Sequence, residues 1–306
     1  MTGSVNATRA CQDARMRSRT TATLTLVVIT VIWGSTFVIV KETVVSVPPP
    51  LLLALRFSVA ALLFAWVRPS RKALVPGFIL GVLSFAGFAT QTVGLVSTTA
   101  SKAAFITGLS VILTPLFSAL WFRQSVPVRA FLAAAVALAG LGLMSLTGPV
   151  GVTAGDLWVL GTAVFYALYI LYLAEVAPKY GALELSALQF WLMALLAWLW
   201  ALPQLGQITT LSAGSVGSIV YLGAVATALV SVLQVRAQRV VSAPVAALVF
   251  VLEPVFAAVF AYLLLGESLG VWGWVGAGLI GVAMLLSELR PVETESDALP
   301  APPAPH

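Results

Sequence analysis

Runs of about 20 apolar residues, separated by short polar stretches, recur along the chain from residue 24 to residue 289. A helix of about 20 residues crosses the roughly 30 Å of hydrocarbon in a bilayer. Windows of that size predict ten spans, at 24–42, 48–66, 74–96, 103–122, 128–147, 156–176, 183–202, 215–236, 242–265 and 270–289. The connections are short, so neighbouring spans are expected to run antiparallel. The predicted fold class is an all-α integral membrane protein, flanked by a polar tail at 1–23 and a Pro/Ala-rich, disordered tail at 290–306.

Composition agrees with that pattern. The 306 residues are 60% hydrophobic and 9% charged, with mean hydropathy +1.04, whereas soluble domains carry about a quarter charged residues. A net charge of +5 suggests nucleic acid only if the basic residues cluster on one folded face, and here they are scattered between apolar runs. Topology accounts for them instead. With the N-terminus inside, Arg9, Arg15, Arg17, Arg19, Arg68, Arg71, Lys72, Arg123, Arg129, Lys179, Arg236, Arg239 and Arg290 fall on the inner side, and only Lys41 and Lys102 on the outer. The positive-inside rule therefore places both termini in the cytoplasm, which requires an even number of spans. A cleaved signal peptide fits the first span poorly, since it is long and ends in Lys41 and Glu42 rather than in small residues. The single cysteine, Cys11, and the single histidine, His306, lie in the tails. No internal disulfide, metal site or cofactor is expected, nor any intramembrane chemistry that needs histidine.

The two halves resemble each other. Ala54-Leu55-Arg56-Phe57 matches Ala187-Leu188-Gln189-Phe190, and the same shift places Trp33 over Tyr166. "VILTPLFSALWF" (111–122) matches "FVLEPVFAAVFA" (250–261), pairing Thr114 with Glu253 and Pro115 with Pro254, and "RQSV" (123–126) matches "GESL" (266–269). Each copy then holds five spans, 24–147 and 156–289. An odd number inserts the second copy upside down relative to the first, as in many transporter folds.

The stretches "WGSTFVIVK" (33–41), "ALRF" (54–57), "TASKAAFITGLSVILTPLF" (99–117) and "LEPVFAAVFAYLLLGESL" (252–269) resemble the EamA branch of the drug/metabolite transporter superfamily. The resemblance covers residues 24–289. It implies a ten-helix, inverted-repeat carrier of small metabolites, often amino acids or related compounds and often moved outward, with spans five and ten at the periphery. The interval from Pro115 to Ser125 is shorter by about one helical turn than that from Pro254 to Ser268, so the copies are not fully symmetric.

Polar residues at membrane depth are costly and mark candidate sites. Glu253 lies near the midplane of span nine, either as a substrate or proton-coupling carboxyl or as a hydrogen-bond anchor between helices. Pro254 and Pro115 each release the carbonyl four residues earlier, at Phe250 and Val111. Paired breaks of this kind point to a midplane site or to kinks that shape packing, and Thr114 sits beside the first. Arg56, the only base deep in a span, can hold a carboxylate, from Glu253 or from a substrate, or anchor backbone carbonyls. Gln91 and Gln234 bridge helices or touch the solute. Trp33, Tyr166, Tyr169 and Tyr172 form an aromatic wall that encloses a solute or packs in the core. The small residues Gly273, Ala277 and Gly281 in span ten allow close helix packing or a homodimer contact through spans five and ten.

These features predict a secondary transporter of small metabolites in the inner or plasma membrane, whose partners are its solute and the lipid bilayer. Nucleotide-sugar or phosphate-ester exchange is the alternative, followed by a channel or scramblase. An enzyme is not expected, because no histidine, carboxylate cluster or aspartyl dyad lies within a span, and the lack of a phosphate-binding GxxxxGK[ST] segment argues against ATP drive within this chain.

Overall fold

The computed structural model describes residues 2–121, 128–147, 152–238, 240–241, 249–250 and 252–288. Among them every regular element is helical: α1 (Thr2–Thr43), α2 (Pro49–Leu63), α3 (Leu74–Ser97), α4 (Ala100–Gly108), α5 (Ser110–Trp121), α6 (Val128–Thr147), α7 (Ala154–Val176), α8 (Ala182–Ala201), α9 (Ala213–Val220), α10 (Val230–Gln238), α11 (Leu252–Leu265) and α12 (Gly270–Glu288). A π-helical segment, Tyr221–Leu229, joins α9 to α10, and 3-10 turns occupy Arg71–Ala73 and Leu202–Thr210. Arg123, the "RQSV" segment, Arg239, Ser242 and the tail 290–306, with Arg290 and His306, lie outside the described residues.

Among the described residues, six helical stretches are long and apolar enough to cross a bilayer: Thr20–Thr43, Arg71–Ser97, Ala100–Leu120, Ala154–Val176, Ala182–Ile208 and Ala213–Gln238. Pro49–Leu63, Leu252–Leu265 and Gly270–Leu286 are shorter apolar helices. The outer surface is apolar as well. Trp66, Leu62, Val75, Leu138, Leu157, Leu263, Val271 and Trp272 are all exposed, a surface that water would penalise and acyl chains accept.

Local sequence explains where several helices begin. Thr153 caps α7 by accepting from the Asp156 amide at 3.3 Å, while Asp156 Oδ2 accepts from the Thr153 amide at 3.0 Å; the pair is a capping box that satisfies two otherwise orphaned donors. Thr99 caps α4 and Ser212 caps α9 in the same manner. Helix α1 extends back through the polar tail to Thr2. The tail contains no proline, so a helix nucleated in the apolar span propagates into it.

Two breaks differ from the sequence expectation. The helix of span four is interrupted at Leu109, between α4 and α5, and not at Pro115, which lies inside α5. Gly108 supplies the reason. A Cβ there would come within 2.5 Å of Met284 Cε and 3.1 Å of Pro254 Cγ, so the chain approaches α12 and α11 with a residue that is itself a poor helix former. Span eight, expected to be continuous, contains the π segment. Within it Gly223 lies against α2, where a Cβ would come within 2.6 Å of the Arg56 carbonyl oxygen.

The helices pack in pairs: α6 on α12, α3 on α7, α2 on α8, α3 on α8 and α1 on α11. Without a hydrophobic driving force in lipid, such pairs depend on close backbone approach. The α3–α7 crossing is a clear case, because a Cβ on Gly155 would lie 2.4 Å from the Gly94 oxygen and 2.6 Å from Ser97 Oγ. Gly155→Ala is therefore expected to destabilise the fold by about 1–3 kcal/mol through overpacking, seen as a lower thermal unfolding midpoint in detergent. At Gly161 the nearest neighbour would be 3.7 Å away, and Gly161→Ala should leave the midpoint unchanged. In the α6–α12 pair the close approach falls at Gly140, where a Cβ would meet the Gly276 carbonyl at 2.6 Å, whereas nothing lies within 4 Å of Gly281.

Candidate functional site

A cavity with about 890 Å³ of empty space, its opening included, lies among α1, α2, α3, the α4–α5 break, α7, the π segment with α10, and Phe250 and Glu253. Its lining residues fall near the middle of the long helices: Trp33 and Phe37 on α1, Ser84 and Phe88 on α3, Tyr166 and Tyr169 on α7.

Of the residues singled out from sequence, Glu253, Arg56, Trp33, Tyr166, Tyr169, Gln91 and Gln234 come together around this space. Thr114 and Pro254 do not line it. Thr114 Oγ1 donates to the Ser110 carbonyl at 2.7 Å, one turn back along α5, and Pro254 is buried against Gly108. Pro115 has its backbone within α5, and its side chain lies outside the described residues.

Arg56 is 2% exposed. Its Nε donates to Thr227 Oγ1 at 2.8 Å, and its guanidinium carbon stands 4.5 Å from the centroid of the Phe88 ring, within the range of cation–π attraction. It does not pair with Glu253: among the described residues the ion pairs are Lys102–Asp156 and Lys179–Glu175. Tyr166 lines the same space as Arg56 and Glu253. A cation and a carboxyl thus face one cavity, neither in an ion pair among the described residues.

The walls are aromatic. Phe88 makes an edge-to-face contact with Tyr166 at 5.8 Å, and Trp33 packs on Phe250 at 5.5 Å. The Trp33 indole nitrogen donates to the Ala226 carbonyl at 3.3 Å, and Gln91 Nε2 donates to Thr107 Oγ1 at 3.2 Å. Tyr169 donates to Gln189 Oε1 at 3.3 Å. Gln189, which occupies the position of Arg56 in the second half, is buried but does not line the cavity. Tyr172 also lies off the lining. Sequence reasoning did not single out Phe88, Thr107, Thr227, Ser231 or Phe250. An uncharged hydroxyl or a phenyl ring in an apolar run has no marker that distinguishes lining from packing.

One end of the bundle is closed by buried charge. Lys102 Nζ meets Asp156 Oδ2 at 2.8 Å, and Thr98 donates to Asp156 Oδ1 at 2.5 Å. Glu267 accepts from the Ala100 and Ser101 amides at 2.9 and 3.0 Å and from Ser101 Oγ at 2.8 Å, capping α4 from the turn after α11. Lys41 donates to the Leu95 and Thr98 carbonyls at 2.9 and 2.7 Å, where its charge complements the negative end of α3. Lys102, Thr98, Ser101 and Asp156 are all buried, so five helix ends are tied together above the cavity.

Apolar helices around a solute-sized cavity with a few convergent polar groups define a multi-pass membrane protein of the carrier class. The EamA-like transporter family profile matches residues 20–146 and 153–289, and the chain belongs to that family. An uncharacterized transporter of Archaeoglobus fulgidus is 32% identical over 276 residues, covering 88% of this chain and 86% of its own length. A crystal structure of a protein 18% identical to this one superposes with a TM-score of 0.63, over 88% of this chain and 96% of its own. At that identity the likeness concerns the fold alone.

Proposed function

We propose that the protein is a secondary transporter that carries small zwitterionic metabolites, amino acids or close relatives, outward by alternating access. The observation that carries this reading is the separation of Arg56 from Glu253 in one aromatic-walled cavity. A zwitterion satisfies both at once, its carboxylate on the guanidinium and its ammonium toward the carboxyl, with the remainder against Trp33, Phe88 and Tyr166. A nucleotide sugar or phosphate ester wants several cations. Among the described lining residues Arg56 is the only one, which favours the zwitterion. No bond-making step is assigned to the site.

Ten spans in two inverted five-helix halves, 24–147 and 156–289, suit this mechanism. The helix contacts support that arrangement, because exchanging the halves maps each pairing onto another. The contact of α1 with α11 corresponds to that of α7 with α4 and α5, the contact of α3 with α7 to that of α1 with α9 and α10, and the contact of α3 with α8 to that of α2 with α9 and the π segment. The family match in two successive stretches points the same way. With both termini cytoplasmic, the charged Lys102 end faces outward and is the closed gate.

Glu253 is the candidate proton carrier. Flux of radiolabelled amino acids into and out of proteoliposomes tests the reading: saturable flux, stimulated by amino acid on the opposite side, is expected. Its absence across the twenty protein amino acids and a panel of organic cations overturns the reading. Glu253→Gln is expected to exchange at a raised half-saturating concentration, because the solute's ammonium loses its ionic partner, while losing the dependence on pH. A pH profile like that of the wild type would remove Glu253 from the coupling role.

A further inference from the structure

The π segment Tyr221–Leu229 holds two of the cavity's recognition groups by one structural device. In an α-helix the Val230 amide would bond to the Ala226 carbonyl. Here it bonds instead to the carbonyls of Val225 and Thr227, and the Ala226 carbonyl accepts the indole N–H of Trp33. One residue further on, Thr227 Oγ1 accepts Arg56 Nε at 2.8 Å. Such widened turns recur at functional sites because they free a carbonyl and redirect side chains.

For Arg56 the consequence is geometric. Its guanidinium carbon lies over the Phe88 ring, 4.5 Å from the centroid, and its Nε is held by the bond to Thr227. A guanidinium offers five N–H donors in a rigid fork. With one spent on Thr227 and no ion pair to a described acid, the Nη edge remains for the cavity that Arg56 lines, with Glu253 elsewhere in the same lining. Ser84 and Gln91 on α3 and Tyr166 and Tyr169 on α7 are the polar neighbours around that space, all of side-chain types that carry no charge near neutral pH.

We infer that Thr227 is a specificity-determining positioning residue: by fixing Arg56 through Nε, it presents the Nη fork to a planar carboxylate of the solute. Thr227 does not itself touch the solute's carboxylate. This inference rests on the reading of Arg56 as the carboxylate anchor and adds the element that aims it. A hydroxyl is required at this position and a methyl group will not serve, so Ser should replace Thr and Val, of nearly equal volume, should not.

The experiment uses the full chain in proteoliposomes. Uptake of the amino acid carried fastest among the twenty is inhibited by the same amino acid and by its carboxamide, in which the carboxylate is replaced by a neutral group. In the wild type the acid is expected to inhibit at about tenfold lower concentration, the scale of a charge-assisted pair. Thr227→Val is expected to bring that ratio to about two or below while maximal flux falls less, and Thr227→Ser to restore it. A Thr227→Val protein that loses both inhibitors equally, or keeps the wild-type ratio, overturns the positioning role. Arg56→Met separates the two levels: if it leaves the acid-to-amide ratio intact, the anchor reading itself fails. If Arg56→Met abolishes the ratio and Thr227→Val does not, only the role of Thr227 fails.

Discussion

Arg56→Met is expected to reduce transport efficiency for carboxylate-bearing solutes by about two orders of magnitude while leaving the protein folded. Hydrogen bonds to charged groups contribute about 1.5–3 kcal/mol each, and a bidentate carboxylate uses two of them, so the loss of the fork reaches that scale even after partial compensation by water. Retention of the fold follows from the surroundings of Arg56. It has no acidic partner among the described residues, and it contacts the face of Phe88 and the Thr227 hydroxyl. A methionine can keep the apolar contact, and because Arg56 is in no ion pair among the described residues, the substitution removes a buried charge without stranding an opposite one. Flux assays paired with thermal unfolding in detergent check both halves. A protein that unfolds at a much lower temperature would mean that Arg56 is a structural anchor, and one that transports normally would remove it from the binding site.

The second large effect is expected at the closed end. Asp156→Asn removes the acid with which the buried Lys102 pairs, and breaking a buried pair by removing one partner typically costs about 3–5 kcal/mol. The variant should unfold at a markedly lower temperature, whereas Lys102→Met/Asp156→Leu should recover most of the loss, because it removes both charges together. The exposure of the cavity should change as well. In a Cys11→Ser background, a cysteine placed at Phe37, which lines the cavity, is expected to react with a membrane-impermeant maleimide added outside more rapidly when Asp156 is Asn. Equal labelling rates with and without the ion pair would show that these charges hold the fold and do not gate the cavity.

The parts of the molecule legible in sequence are those whose chemistry conflicts with their surroundings. Glu253 and Arg56 stand out because an ionisable group within an apolar run is costly, and both line the cavity. Trp33 and Tyr166 were found through the match between the halves, and they also line it. The prolines misled by position: Pro115 sits within a continuous α5, and the break falls at Leu109, where the close approach of Gly108 to α12 and α11 decides the path. That contact spans residues far apart in sequence and leaves no local pattern. The π segment was hidden for a related reason, since nothing in "YLGAVATAL" distinguishes five-residue from four-residue hydrogen-bond spacing. Lys102 and Asp156, read as residues near span ends, form a buried pair because Thr98 and the capping box of α7 bring the carboxylate over the start of α4.

The break at Leu109 makes α4 a short lever. Lys102 is seven residues from the break along α4, about 10 Å at the α-helical rise of about 1.5 Å per residue. A tilt of about 10° about Leu109 displaces Lys102 by about 2 Å, comparable with its 2.8 Å separation from Asp156. Because Met284 and Pro254 flank the fulcrum at Gly108, a shift of α11 or α12 by a fraction of a side-chain diameter acts on the short arm of that lever. On the proposed reading of this end as a gate, a small displacement beside Gly108 would be enlarged into the parting of an ion pair about 10 Å away.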